Sequence, residues 1–304
     1  MHQRESDMTI TAGAHMRAEL TSQPETWARA AGMRAEQALL PASGARIAVV
    51  GCGTSWFMAQ SYAALREAAG HGETDAFTAS EVPAGRGYDA IVALTRSGTT
   101  TEVLELTERV KGTTPVIAVL GDDSSPLVDL ADTVIALPFA DEQSVVQTRF
   151  ATTALALFRA SLGESLDGAV ADAQAVLASP SDPALGDAEQ YSFLGLGWTI
   201  GLAHEAALKM RESSQSWTES YSAMEYRHGP IAIAAPGRIT WQFGTAPEGL
   251  QAQVEATGAR FVQHPIDPMA DLVRLHRVAL DRAVGRGLDP DQPRNLTRSV
   301  ILAD

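Results

Sequence analysis

The stretch that decides the fold is RIAVVGCGTS at residues 46–55, and DAIVALTRSGTT at residues 89–100 repeats its pattern. In each, a short apolar run rich in β-branched residues leads into a turn of glycine and hydroxyl side chains. Such runs are typical of strands that are buried on both faces of a parallel sheet. A helical pattern follows each turn, at Trp56–Ala69 and at Thr101–Val110. Strand, turn and helix in this order predict an open α/β sandwich.

The same rhythm continues along the chain. Two more buried strands are predicted at Pro115–Leu120 and Thr133–Leu137, and helices are predicted over residues 17–40 and 151–178. Residues 179–187 gather prolines and small polar residues, which indicates a linker. After it the pattern restarts, with strands at Tyr191–Leu196, Arg238–Phe243 and Arg260–Val262 and helices at 198–213, 247–257 and 269–284.

The two halves of the chain therefore look like diverged copies of one α/β unit. We predict an N-terminal helical lead-in (1–40, its first 15 residues frayed), a first unit (41–178), the linker (179–187) and a second unit (188–304).

Composition limits the kind of function. The 304 residues are 45% hydrophobic and 20% charged, with a formal net charge of −14, which describes a globular protein without the basic surface that nucleic acid requires. No membrane partner is expected, because no apolar run has membrane-spanning or signal-peptide length. The single cysteine, Cys52, excludes an intramolecular disulfide and a cysteine metal cluster. A cytoplasmic protein is expected.

Two turns of similar chemistry form a candidate anion site. Gly53, Thr54 and Ser55 follow the first strand, and the stretch from Thr95 to Thr100 follows the third. Parallel sheets bind ligands at the carboxyl ends of their strands, where glycines, helix N-termini and hydroxyls suit a phosphate monoester. The alternative is that these hydroxyls only cap the two helices.

Nucleotide and metal sites have less support. A dinucleotide fingerprint requires a third glycine where Trp56 stands, and no GxxxxGK[ST] motif is present. The histidines are scattered without metal-ligand spacing, so we expect neither a metal nor a cofactor.

A second candidate site lies on the helix of the second unit. Glu205, Lys209 and Glu212 are spaced four and three residues apart, which places them on one helical face, and His228 follows shortly after. Carboxylates, an ammonium and an imidazole are the groups that move protons in catalysis. The alternative is an exposed Glu205–Lys209 ion pair with no further role.

Five motifs in order, GCGTS, TRSGTTTE, AHEAALKMRE, EYRHGP and PRNLTRSVILAD, resemble the isomerase half of glucosamine-6-phosphate synthase, within the sugar-isomerase (SIS) family. The resemblance covers about residues 40–304. It implies two flavodoxin-like, three-layer α/β/α SIS subdomains with parallel sheets. It also implies a homodimer that binds a sugar phosphate at the subunit interface.

The resemblance also implies roles for single residues. The sugar phosphate would be held by Ser55, Ser97 and Thr100, together with Gly53, Thr54, Thr95 (a serine in the family) and Arg96 (a glutamine in the family). Gln147 stands where the family has a serine near the ligand. Glu212 would shuttle a proton between C1 and C2, His228 of the neighbouring subunit would open the sugar ring, and Glu205 and Lys209 would support them.

Two departures from the family affect the expected reaction. The glutaminase domain of the synthase has no counterpart in this sequence. Arg298 stands where the synthase has an imine-forming lysine, and a guanidinium does not readily form a Schiff base. Arg298 is expected either to clamp an oxyanion or to be a solvated tail residue.

The leading hypothesis is an enzyme that abstracts the C2 proton of glucosamine 6-phosphate or its N-acetyl form, as an isomerase or deaminase. The alternatives are a dehydratase (lyase) that eliminates the C3 hydroxyl, a fructosamine-6-phosphate deglycase, and a non-catalytic sugar-phosphate sensor. The missing lysine favours elimination, and family frequency favours deamination.

Overall fold

The computed structural model describes residues 11–302, so residues 1–10 of the predicted frayed lead-in lie outside the described part. The first sheet contains five parallel strands in the order β2-β1-β3-β4-β5, which is the flavodoxin-like order. Its strands are β1 (Ile47–Gly51), β2 (Thr74–Thr78), β3 (Ala90–Thr95), β4 (Val116–Leu120) and β5 (Thr133–Ala136). The second sheet repeats four of these positions in the order β7-β6-β8-β9, again parallel. Its strands are β6 (Tyr191–Gly195), β7 (Thr218–Ser222), β8 (Ile239–Gln242) and β9 (Arg260–Gln263).

The α/β fold predicted from the apolar runs is confirmed, and all seven predicted strands are present. Two strands were missed, β2 (TDAFT) and β7 (TESYS). Each lies at the edge of its sheet and is half-buried over most of its length, so its sequence lacks the apolar run of a central strand.

Helices lie on both faces of the first sheet. Side chains of β1 and β3 alternate between two hydrophobic clusters: Val49 and Val92 join one, and Val50 and Ala93 join the other. The cluster with Val49 also contains Phe193 and Trp241 of the second sheet, so one continuous apolar core links the two halves. The predicted subdomain boundaries remain a prediction.

The helices correct two predictions. The single helix expected over 17–40 is three helices, interrupted at Ser22 before Pro24 and again at Gly32: α1 (Ala14–Thr21), α2 (Gln23–Ala31) and α3 (Arg34–Gln37). The helix expected over 151–178 is two, because the chain turns at Gly163 with a φ of 88°. These are α7 (Arg149–Ser161) and α8 (Asp167–Ala178).

The remaining helices are α4 (Thr54–Ala68), α5 (Thr101–Val110), α6 (Leu127–Leu130), α9 (Pro183–Gly186, inside the predicted linker), α10 (Thr199–Ser214), α11 (Leu250–Glu255) and α12 (Pro268–Gly285).

A tight contact between α4 and α10 brings the two candidate sites together. A Cβ at Gly201 would lie 2.2 Å from the carbonyl oxygen of Phe57 and 2.3 Å from Oγ of Ser61, so glycine is required there. The Ser61 hydroxyl also donates to the carbonyl of Trp198 (2.8 Å). The helix that begins at the turn Gly53–Ser55 thus packs directly against the helix that carries Glu205, Lys209 and Glu212.

Candidate active site

The two hydroxyl-rich turns lie side by side, because β1 and β3 are adjacent parallel strands. Gly53 is exposed and adopts a φ of 54°, while Thr54 and Ser55 at the start of α4 are buried. In the neighbouring turn, Ser97 and Thr100 are also buried. At the N-cap positions of α4 and α5 the structure shows no side-chain hydrogen bond, so it does not support the simple capping alternative.

The second turn is shaped by its own polar contacts and by a glycine. The amide of Gly98 donates to Oγ1 of Thr95, and the amide of Thr99 donates to Oγ of Ser97, both at 3.3 Å. Gly98 has a φ of 60°, and a Cβ there would lie 1.9 Å from Oγ of Ser125. A larger residue would therefore disrupt the turn.

Arg96 differs from its expected role. Its guanidinium is buried and donates to the carbonyls of Ser144 (2.8 Å), Val145 (3.4 Å) and Arg298 (2.7 Å). The Arg96 side chain is therefore occupied by backbone carbonyls, which is not the arrangement expected of a phosphate ligand.

Gln147 lies in the loop before α7, and its Oε1 is buried without a hydrogen-bond partner among the described residues. The loop is fixed by Glu142, whose carboxylate accepts hydrogen bonds from the amides of Thr148 (2.6 Å), Arg149 (2.7 Å) and Phe150 (3.1 Å). Sequence reasoning missed Glu142, because nothing in its spacing distinguishes it from an ordinary loop carboxylate.

The polar face of α10 is present as predicted from its spacing. Nζ of Lys209 lies 2.5 Å from Oε2 of Glu212 and 3.6 Å from Oε1 of Glu205. The side chains of Lys209 and Glu205 are 1% and 2% exposed, so the alternative of an exposed ion pair is wrong. Glu212 is 21% exposed, which leaves one carboxylate of the group accessible.

Burial controls the charges of this group. Desolvation, together with the nearby Glu212 carboxylate, raises the pKa of Glu205 to about 8, although the Lys209 ammonium and the Thr54 hydroxyl oppose the rise. Desolvation lowers the pKa of Lys209, but the carboxylates of Glu205 and Glu212 outweigh it and raise that pKa overall. Near neutral pH, Lys209 is therefore charged and paired with Glu212, while Glu205 holds a proton for most of the time.

A cavity of about 390 Å³ opens beside Glu212. Arg211 and Gln215, at the end of α10, line it together with Arg294 and Leu296 of the C-terminal segment. The accessible carboxylate of the group therefore faces an open cleft.

His228 ends a short 3₁₀ turn (Glu225–His228) and is exposed. Among the described residues it forms no hydrogen bond or ion pair with Glu205, Lys209 or Glu212. A single chain thus does not bring His228 to the α10 group, and its role in a neighbouring subunit remains a prediction.

The C-terminal segment lies across the start of α5. Nη2 of Arg298 donates to both carboxylate oxygens of Asp141 (2.6 and 2.7 Å), and Nη1 donates to the carbonyl of Glu142. The amide of Thr101 donates to the carbonyl of Val300 (3.2 Å). Neither expectation for Arg298, an oxyanion clamp or a solvated tail residue, matches this arrangement, in which it anchors the tail.

Two further findings bear on the site. Among residues 11–302, no group of three or more His, Cys, Asp or Glu side chains is arranged to hold a metal ion. In the same part of the chain, no helix combines the length and the apolar character needed to cross a membrane.

The fold and the two candidate sites can be compared with those of known proteins. No family model matches the chain. Glutamine–fructose-6-phosphate aminotransferase (isomerizing) of Aeropyrum pernix is 29% identical over 351 aligned positions, which cover 93% of this chain and 56% of that protein. The enzyme of the same name from Gloeobacter violaceus is 33% identical over 141 positions, which cover 37% of this chain and 23% of that protein. The chain thus spans about half the length of the first relative.

Solved structures share the fold over nearly the whole chain. Glucosamine-6-phosphate deaminase of Thermotoga maritima aligns with a TM-score of 0.79 at 23% identity, over 95% of this chain and all of that one. The C-terminal domain of glucosamine-fructose-6-phosphate aminotransferase of Francisella tularensis has a TM-score of 0.74 and 21% identity, over 95% of this chain and 100% of that one. Tagatose-6-phosphate ketose/aldose isomerase of Escherichia coli has a TM-score of 0.78 and 17% identity, over 95% of this chain and 96% of that one. The chain has the SIS fold, and its resemblance to the isomerase half of the synthase is confirmed.

Proposed function

We propose that this protein is an enzyme of amino-sugar phosphates that abstracts the C2 proton of a hexosamine 6-phosphate, as an isomerase or deaminase. The observation that carries the proposal is the buried Glu205–Lys209–Glu212 group, which the α4–α10 contact sets behind the hydroxyl-rich turns. The names of the similar proteins add the substrate class, since they act on glucosamine, fructose or tagatose phosphates.

In the proposed reaction the turns at Gly53–Ser55 and Thr95–Thr100 hold the phosphate through hydroxyls and helix N-termini. Glu212 takes the C2 proton, because it is the accessible carboxylate of the group. Lys209 pairs with Glu212 and stabilises the negative charge that develops on the sugar oxygen.

The proposal includes a homodimer, in which His228 of the partner opens the sugar ring. The exposure of His228 fits this, since the side chain is free to reach a second chain. No nucleic-acid or membrane partner is proposed.

One observation favours dehydration as a second candidate. The sequence contains only two lysines, Lys111 and Lys209. Lys111 lies at the far end of α5, and Lys209 is paired with Glu212. Neither lysine is therefore free to form an imine with a keto sugar. Loss of the C3 hydroxyl requires no lysine imine.

The test is to incubate the protein with glucosamine 6-phosphate and with its N-acetyl form, in water and in heavy water. Ammonia and keto sugar report deamination, and an ultraviolet-absorbing unsaturated product reports dehydration. Deuterium at C2 reports proton abstraction whatever the product. If neither sugar changes or exchanges while both bind, the protein is a sensor and the enzymatic proposal is wrong. Release of an amino compound from a fructosamine 6-phosphate alone would indicate the deglycase.

A further inference from the structure

A buried chain of polar side chains connects the N-terminal helix α2 to the α10 group. It begins at Trp27, whose Nε1 donates to Oγ1 of Thr152 (3.0 Å). The Thr152 hydroxyl donates to Oε1 of Gln23 (2.8 Å), and Nε2 of Gln23 lies 3.2 Å from Nδ1 of His276. The other ring nitrogen of His276, Nε2, lies 3.9 Å from Oε1 of Glu205.

The Thr152 oxygen accepts from Trp27, because an indole nitrogen only donates. The Thr152 proton has three acceptors within reach, and Oε1 of Gln23 (2.8 Å) is nearer than the carbonyls of Thr148 (3.1 Å) and Arg149 (3.2 Å). The amide nitrogen of Gln23 then faces His276 and donates, which requires Nδ1 of His276 to accept. A neutral imidazole with an accepting Nδ1 carries its proton on Nε2, on the side of Glu205.

Other features of His276 agree with this tautomer. Its side chain is completely buried, and burial together with the Lys209 charge lowers its pKa to about 3, so the imidazole is neutral. Nε2 of His276 and Oε2 of Glu205 are both buried without a hydrogen-bond partner among the described residues. Buried polar groups are nearly always paired, and the Glu205 carboxyl is the group that Nε2 faces, with Oε1 at 3.9 Å.

We propose that His276 is a positioning residue for the α10 group, whose Nε2–H holds the ionised form of Glu205 and so decides how Lys209 is shared between the two carboxylates. The inference rests on the proposed function for its effect on catalysis. When Glu205 is protonated, Lys209 belongs to Glu212 alone. When Glu205 is ionised, it competes with Glu212 for the Lys209 ammonium.

The charged and titratable groups around Glu205 come from several elements. They are Lys209, Glu212 and Arg211 of α10, Glu142 of the loop before α7, and His276 of α12. The neighbouring contact from α4 is the uncharged Thr54 hydroxyl. A substitution of His276 leaves all of these other groups in the protein.

The first measurement needs no variant. In protein labelled with ¹⁵N at the histidine rings, the shifts of His276 report its tautomer, and we expect Nε2–H at neutral pH. A proton on Nδ1 would overturn the proposal, because His276 would then have no donor for Glu205.

The second measurement compares two amide variants. In His276→Gln the amide nitrogen reaches the place of Nε2, whereas in His276→Asn it stays near the place of Nδ1. In protein labelled with ¹³C at glutamate carboxyls, with Glu205→Gln to assign the signal, we expect His276→Asn to raise the titration midpoint of Glu205 by about one pH unit. His276→Gln should keep the midpoint near that of the natural protein.

The pH profile of C2 exchange separates the two proposals. If the inference is right and the enzyme is active, His276→Asn moves the inflection due to Glu205 to higher pH, and His276→Gln does not. If His276→Asn still exchanges the C2 proton but the titration midpoint of Glu205 has not moved, the role of His276 is refuted and the proposed function stands. Absence of exchange in the natural protein refutes the proposed function, while the midpoint comparison still decides the role of His276.

Discussion

At the carboxyl edge of the first sheet, β1 and β3 end in turns rich in hydroxyls, whereas the equivalent strands of the second sheet, β6 and β8, do not. There the strands end at a cavity of about 660 Å³. The one arginine that lines it, Arg159, is already paired with Asp267 (2.8 Å) and Glu164 (2.7 Å). The two sheets have equivalent strand orders, but among the described residues the run of hydroxyl side chains lies at the first edge.

The second sheet contributes its chemistry from a different place. Its first helix, α10, carries the buried carboxylate–ammonium group, whereas the equivalent helix of the first sheet, α4, begins at the hydroxyl-rich turn Gly53–Ser55. Under the proposed function, duplication of the fold separates binding from proton transfer, and the α4–α10 contact joins them again. The predictions below test this separation.

The largest effect is expected for Glu212→Gln. Removing the accessible base should lower C2 exchange by at least about a hundredfold, because general base catalysis contributes that much or more. Binding of the sugar phosphate, measured by calorimetry, should remain, since the phosphate turns are untouched.

Glu255→Gln is the matched control, because Glu255 is an exposed carboxylate on α11 of the same half. It should leave exchange unchanged. If Glu212→Gln retained exchange, or lost binding to the same degree, the division between a binding edge and a catalytic helix would be wrong.

The next prediction compares the carboxyl edges of the first and second sheets. Ser97→Ala removes a hydroxyl from the first edge and should weaken binding of glucosamine 6-phosphate about tenfold, as expected for a hydrogen bond to a charged group. Thr245→Val removes a hydroxyl from the second edge, at the cavity described above, and should leave the dissociation constant unchanged. Equal weakening by both variants would show that the phosphate does not prefer the first edge.

The central strands and the α10 group were predictable from sequence, because both depend on local spacing. Continuous apolar runs mark strands that are buried on both faces, and residues four and three apart must share a helical face. The pairs Arg298–Asp141 and His276–Glu205 were not predictable. They join residues that are far apart in the chain, and neither Asp141 nor His276 stands in a pattern that distinguishes it.

A smaller effect is expected from loss of the Arg298–Asp141 contact, which anchors the C-terminal segment. Arg298→Gln removes the ion pair with Asp141, in which both side chains are about one-third exposed. A partly exposed pair contributes about 1 kcal/mol or less, so amide exchange at Thr101 and Leu302, which hold the tail, should accelerate by about fivefold or less. Arg294→Gln is the control, because Arg294 is an exposed arginine of the same segment. Equal acceleration by both variants would mean that charge alone, and not the Asp141 contact, holds the tail.

The last prediction concerns the pH dependence of stability. The pKa of Glu205 is about 8 in the folded protein, above its ordinary value of 4.5, so the folded state keeps a proton that the unfolded state releases. Between these two values the unfolding free energy therefore falls as pH rises, and the contribution of Glu205 is complete below pH 4.5 and lost above about pH 8. The Glu205→Gln side chain does not titrate, so the urea midpoint of this variant should decrease less between pH 5 and pH 8 than that of the natural protein.

Glu255→Gln again serves as the control and should retain the natural decrease. An unchanged decrease in Glu205→Gln would show that the buried carboxyl is ionised throughout this range, and Lys209 would then be shared between two carboxylates at neutral pH.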